Sequence, residues 1–176
     1  MNKRLYRMVT AAFCLALCLV LPFLTGQIPQ IGSALAPMHL PVLLAGFLCG
    51  PWWALAVGFI APPLRFMLFG MPPFPAYLAM AFELAAYGLV TGLLYRHLPK
   101  KNSSIYISLI IAMLAGRAVW GVAMVTILGL KGAPFGWEAF LSGAFLGAIP
   151  GIILQIVLIP ILVMVLEKAG YLKKNL

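Results

Sequence analysis

The chain has 176 residues, of which 64% are hydrophobic and 9% are charged, and its mean hydropathy is +1.09. This leaves too little polar surface for a water-soluble globule, so we predict an all-α integral membrane protein that forms a single domain. The formal charge of +9 does not indicate nucleic-acid binding, because the basic residues stand in short clusters beside apolar runs, the pattern of membrane topology signals.

Six apolar runs follow one another, as many as this length allows when each span takes roughly 20 residues. The predicted transmembrane spans cover residues 6–26, 35–50, 53–70, 77–95, 104–130 and 139–166. In this arrangement nine lysines and arginines flank the spans on the side of the N-terminus, Lys131 lies on the other side, and Arg65 and Arg117 lie within spans. The positive-inside rule therefore predicts six spans with both the N- and C-termini cytoplasmic.

The first span carries Ala12 and Ala16 four residues apart on one helical face. Small side chains at this spacing allow another helix to approach closely, either within this protein or from a partner. No small-residue cleavage site follows the run closely, so we expect it to stay in place as the first span. The three cysteines lie in apolar runs without histidine or carboxylate at metal spacing, which predicts core residues and no metal site.

Residues 37–95 hold three ionisable side chains away from the usual ends of apolar runs: His39, Arg65 and Glu83. A charge at bilayer depth costs about 2.5 to 3.5 kcal/mol on insertion scales, so a partner, water or ligand is expected to meet it. His39 lies near the outer mouth of the second span, where a hydrogen bond to nearby backbone is the alternative to a binding role.

Arg65 lies near the outer end of the third span and follows Pro62 and Pro63. We expect the two prolines to interrupt the helix and to free carbonyl groups beside the arginine. Irregular backbone next to an arginine favours a binding site. The alternative is that the side chain reaches out to the membrane interface.

Glu83 and Tyr87 share one face of the fourth span, and Gly88 and Gly92 form a close-packing pair further along it. Glu83 is the only acid within an apolar run, so we expect it to pair with an arginine.

Arg117 lies near the middle of the fifth span with Trp120 on the same face, and at that depth it must point into the bundle. A purely structural ion pair with Glu83 is the alternative to a binding role for Arg117.

The sequence lacks the motifs of an enzyme. It has no histidine pair at i, i+4, no second buried acid, no nucleophile motif and no phosphate-binding loop, so we predict no catalysis and no cofactor. Two arginines against one glutamate leave a net positive site if all three face one cavity. Such a site favours an anionic small molecule, since the guanidinium fork suits a carboxylate.

The chain resembles the substrate-binding S components of energy-coupling factor (ECF) vitamin transporters along essentially its whole length. The resemblance rests on the basic N-terminus, the alanine pair in span one, and the runs PMHLPVLLAGF, GPWW, PPLRFMLFGMPPFP and AMAFELAAYG. It implies a subunit that captures a vitamin or vitamin precursor from outside the cell. It further implies that a membrane T component and two cytoplasmic ATPases drive import, and that the protein lies in a bacterial plasma membrane.

Carried onto this sequence, the resemblance implies that Ala12 and Ala16 dock on the T component. It also places a substrate site in the outer parts of spans four to six, which points to Glu83, Tyr87, Arg117 and Trp120. Arg65 and His39 join these predicted substrate-binding residues mainly through the argument from buried charge.

The middle run is most similar to the pantothenate-type branch, and a net positive site suits the carboxylate of pantothenate. A cobalamin precursor such as ribazole or benzimidazole, stacking on an aromatic side chain, is the alternative, together with other micronutrients. Two hypotheses from other classes are a structural membrane subunit without a ligand and a small intramembrane enzyme.

Overall fold

The computed structural model describes residues 3–25, 28, 32, 34–99, 101–130, 132, 136–144 and 146–171. The α-helices that lie within these described ranges are, in chain order, α1 Lys3–Val20, α2 His39–Cys49, α3 Pro51–Phe69, α4 Ala76–His97, α5 Asn102–Gly129, α6 Trp137–Ala144 and α7 Ile149–Lys168. Short 3-10 helices at Leu21–Thr25 and Leu146–Ala148 follow α1 and α6. Within these ranges there is no strand, which confirms the predicted all-helical class.

Five helical segments are long and apolar enough to cross a membrane: Lys3–Leu24, Pro51–Phe69, Ala76–His97, Asn102–Gly129 and Trp137–Lys168. The remaining segment, His39–Cys49, is apolar but shorter. Six apolar segments therefore stand where six spans were predicted. The sixth is not one continuous helix, because α6 and α7 are separate and a 3-10 turn precedes α7.

The second helix begins at His39, four residues after the predicted start of its span. Ala36 has a φ of 46°, a left-handed conformation that no α-helix continues through. The backbone N–H of His39 then donates to the Ala36 carbonyl at 3.0 Å, which closes the turn before α2. Helix α2 therefore starts directly after this tight turn, and His39 lies in the first turn of the helix.

The expected interruption at Pro62 and Pro63 was wrong, because α3 continues as an α-helix from Pro51 to Phe69. A proline keeps a helical φ, but it lacks a backbone donor and its ring crowds the carbonyl four residues earlier. The two prolines therefore weaken α3 locally without ending it. Pro62 is buried against the rest of the bundle. Packing therefore holds the helix together where local backbone hydrogen bonds are missing.

Helix α4 is the centre of the bundle and packs against α2, α3 and α5. Close contact between α3 and α4 depends on glycine: a Cβ added at Gly58 would overlap the Leu84 carbonyl, and one at Gly88 would lie 2.5 Å from the Ala54 oxygen. A Cβ at Gly92 would lie 2.6 Å from the Cα of Pro51. The predicted role of Gly88 and Gly92 in close packing is confirmed.

Helix α1 packs against α2 and α3 through a narrow face that includes Ala11, Cys14 and Cys18. All three cysteines of the chain are free and buried, which confirms their prediction as core residues. Ala12 and Ala16 lie on the opposite, exposed face of α1. These two alanines therefore make no close helix contact inside the described part of the protein.

Candidate functional site

A cavity of about 330 Å³ opens at the end of the bundle where α1 ends and α2 begins. The α3–α4 connection and the region around α6 border the same cavity. Its lining residues are Pro22, Ile28, Gly32, Ala36, Pro37, Met38, His39, Arg65, Met71, Pro72, Pro73, Ala76, Met80, Glu83, Arg117, Trp120, Gly143 and Ala148. Most of the lining is apolar, and four ionisable side chains enter it.

Three different side chains contact one carboxylate oxygen of Glu83. Its Oε1 lies 2.9 Å from Arg117 Nη1 and 3.4 Å from His39 Nε2, and the Tyr87 hydroxyl donates to it at 3.1 Å. Glu83 is 1% exposed, so these partners replace the water that an ionised carboxylate needs. The predicted pairing of Glu83 with an arginine is confirmed, and Arg117 is the partner.

The positions of these groups follow from the helices that carry them. Glu83 and Tyr87 lie one turn apart on α4, His39 is in the first turn of α2, and Arg117 lies inside α5. Gly116 has no side chain to block the Tyr87 ring, which occupies the space where a Cβ would be. The neighbouring Arg117 is thereby brought close to α4.

Tyr87 was predicted as a substrate-binding residue, but its side chain does not line the cavity. It is fully buried, its hydroxyl bonds Glu83, and its ring lies edge-on to the His39 ring at a centroid distance of 5.3 Å. Tyr87 therefore stands behind the cavity wall and orients Glu83 and His39.

Arg65 enters the same cavity but stands apart from the Glu83 cluster. Its Nη1 donates to the backbone carbonyl of Leu19 at the end of α1. Its guanidinium carbon lies 5.1 Å from the centroid of the Phe23 ring and 5.2 Å from that of Phe69. The alternative for Arg65, an outward reach to the membrane interface, does not occur, because the residue is 3% exposed.

Trp120 lines the cavity one turn after Arg117 on α5. Its ring packs near Gly143, where an added Cβ would lie 2.8 Å from the indole, and lies 6.2 Å from the Phe140 ring. The cavity wall thus includes one large aromatic side chain.

Residues of the connections also line the cavity, and none of them was among the individually predicted site residues. Met71, Pro72 and Pro73 of the α3–α4 connection line it, together with Met38 before α2 and Pro22 after α1. The available signal was the absence of charge in these proline-rich segments, which is also typical of ordinary membrane loops.

Two residues of the cavity lining carry polar atoms without a partner. Within the described residues, His39 Nδ1 and Arg117 Nε are buried without a hydrogen-bond partner. Buried donors and acceptors are normally satisfied, so these two atoms are exceptions in the wall of the cavity. No group of three or more metal-ligating side chains occurs in the described part of the chain. The arrangement suits reversible binding of a small molecule with a few oriented polar groups.

Comparison with known proteins agrees with this geometry. The family described as ECF transporter, substrate-specific component, matches residues 6–166 of the 176-residue chain. No curated protein and no solved structure matches the chain. The chain is therefore a multi-pass membrane protein that belongs to the family of ECF transporter substrate-specific components, which are transport subunits and not enzymes.

Proposed function

We propose that this subunit captures a vitamin or vitamin precursor in the described cavity, with pantothenate as the favoured substrate. The observation that carries the proposal is an apolar cavity lined by two arginines and one glutamate. Its volume of about 330 Å³ lies at the lower end of the range of small-molecule sites, roughly 300 to 1,000 Å³. A small carboxylic acid with a polar chain suits both the size and the charge.

The cavity end of the bundle faces outside in this proposal, and both termini lie in the cytoplasm of a bacterium. The support is the distribution of basic residues: Lys3, Arg4 and Arg96 lie at the end away from the cavity, at the start of α1 and the end of α4. Basic residues flanking spans stay on the cytoplasmic side. Substrate would therefore enter from the outside.

Import would require a membrane T component and two cytoplasmic ATPases. The proposed docking residues are Ala12 and Ala16, whose exposed positions on α1 leave them accessible to another helix in the bilayer. Phe13, beside them, is 62% exposed. A small-residue face next to a bulky apolar side chain suits close helix packing with shape complementarity.

The cavity residues have distinct roles in this proposal. Glu83 and His39 offer acceptor and donor groups to hydroxyl or amide groups of the substrate. Trp120 packs against the apolar part of the substrate. Tyr87 acts only through Glu83 and His39.

A cobalamin precursor such as ribazole or benzimidazole is the second candidate. The observation that favours it is the Trp120 ring in the cavity wall, on which a flat heteroaromatic ring can stack. Such a ligand would use the aromatic wall and would not need a carboxylate.

Native mass spectrometry of the protein purified from a bacterial membrane tests the proposal. Release on denaturation of one stoichiometric vitamin or precursor is expected, and its mass separates pantothenate from the precursors. If nothing is released and a thermal-shift panel of vitamins produces no stabilisation, a structural subunit without a ligand is the better description.

A further inference from the structure

Arg65 has no side-chain carboxylate to neutralise it. The chain contains three acidic side chains, and all three belong to described residues: Glu83, Glu138 and Glu167. Glu83 is engaged by Arg117 and His39, and no ion pair joins any of the three to Arg65. A buried guanidinium without a counter-ion is costly in a membrane protein, so this position calls for an anion from outside the chain.

The Arg65 side chain is held in place before any ligand arrives. Phe23 and Phe69 lie 5.1 and 5.2 Å from the guanidinium carbon, and the two rings pack edge to face at 5.0 Å. The Leu19 carbonyl accepts a hydrogen bond from Nη1. Arginine has five N–H donors, and this is the single acceptor that the described residues supply. Several N–H groups therefore remain for the cavity.

The charges of the cavity do not cancel. Arg117 is balanced by Glu83 at 2.9 Å, whereas Arg65 adds one positive charge with no balancing side chain. The two arginines and the glutamate of the lining therefore sum to one positive unit. A monoanion is the ligand that neutralises it.

We propose that Arg65 is the residue that binds the anionic group of the substrate and selects acids over their uncharged analogues. The substrate class is a small carboxylic acid, held at its carboxylate by the Arg65 fork. Glu83 and Arg117 act as a balanced pair that meets the uncharged polar groups of the same molecule. This inference rests on the proposed substrate-binding function.

The experiment measures affinities by calorimetry or thermal shift for matched pairs of an acid and its uncharged analogue. The pairs are pantothenate and panthenol, nicotinate and nicotinamide, lipoate and lipoamide, and biotin and biotinamide. Thiamine, riboflavin, pyridoxine, benzimidazole and ribazole complete the panel. The wild-type protein is expected to bind one acid about ten- to a hundredfold more tightly than its analogue, the size of a charge-assisted hydrogen-bond pair.

Two variants distinguish the role of Arg65 in binding from that of Arg117. In Arg65→Gln the preference for the acid is expected to vanish, so that the acid and its uncharged analogue bind with similar affinity. Thermal unfolding shows whether this variant is folded. In the double variant Glu83→Gln with Arg117→Gln the cavity keeps its net charge. Both members of the pair should then bind more weakly by the same factor, and the preference for the acid should persist.

The outcomes distinguish this inference from the proposed function. Tight binding of thiamine, riboflavin, pyridoxine, benzimidazole, ribazole or an uncharged analogue would overturn the role of Arg65 and leave the substrate-binding function standing. Release of a stoichiometric anionic phospholipid from the wild type, but not from Arg65→Gln, would assign Arg65 to a lipid and also overturn it. No binding across the panel by the wild-type protein would overturn both.

Discussion

Glu83 determines the electrostatics on one side of the cavity, because three side chains from three helices converge on its Oε1. Burial of the Glu83 carboxylate costs free energy, which contacts with its partners offset. Glu83 in turn offsets the cost of burying Arg117. The site therefore behaves as a network rather than as a set of separate residues. Substitutions at its members are expected to be non-additive.

Replacing Glu83 with glutamine should destabilise the protein strongly. The change leaves Arg117 buried without a carboxylate, and breaking a buried pair from one side costs about 3 to 5 kcal/mol. The added change Arg117→Gln should recover part of this loss, because no unpaired charge then remains. Thermal unfolding in detergent measures both. A double variant less stable than Glu83→Gln alone would contradict the assignment of the pair.

Replacing Tyr87 with phenylalanine should lower stability by about 1.5 to 3 kcal/mol, the usual contribution of a hydrogen bond to a charged group. The ring contact with His39 and the packing on Gly116 remain. Tyr77→Phe is a matched control, because the Tyr77 ring stacks on Phe66 at 4.4 Å and no hydrogen bond of its hydroxyl occurs among the described residues. Equal losses in the two variants would show that the Tyr87 hydroxyl does not hold Glu83.

At the scale of elements, the site depends on how closely α3 and α5 approach α4. Gly58 and Gly88 bring α3 against α4, and Gly116 allows α5 to receive the Tyr87 ring. These contacts place Arg65, Glu83 and Arg117, which lie on three different helices, around one cavity. A substitution that changes the spacing between these helices is therefore expected to change the affinity for a ligand even though it replaces no residue of the cavity lining.

Replacing Gly58 with alanine should destabilise the bundle by about 1 to 3 kcal/mol, the usual cost of overpacking. The new methyl group would overlap the backbone of Leu84, which cannot move aside like the end of a flexible side chain. Gly129→Ala is the control, since nothing lies within 4 Å of an added Cβ there. Thermal unfolding of both variants measures the difference. A Gly58→Ala protein as stable as the control would show that the helices are less closely packed than described.

At the scale of the whole molecule, the cavity and the exposed alanines occupy different parts of the protein. The cavity lies at one end of the bundle, whereas Ala12 and Ala16 lie on the lipid-facing side of α1. Binding and docking are thus separable by mutation. Leu19, which accepts the Arg65 hydrogen bond, belongs to the same helix as the alanines.

The double variant Ala12→Leu with Ala16→Leu should retain ligand binding by the isolated protein and lose most uptake in cells with the complete transporter. Larger side chains would hold a partner helix away from α1. Ala118→Leu makes the same size change at an exposed position on α5 and should leave uptake intact. Undiminished uptake by the double variant, at equal expression, would exclude this face as the docking surface.

The number of apolar segments and the helical class followed from the sequence, because hydropathy and segment length are properties of neighbouring residues. The pairing of Glu83 with an arginine also followed, since a lone acid in an apolar run needs a cation. Only the tertiary structure decided that the partner is Arg117 and not Arg65, and that Tyr87 stands behind the cavity. It also decided that α3 continues through Pro62 and Pro63. These outcomes depend on distances and packing between helices, which the spacing of residues along a single chain does not specify.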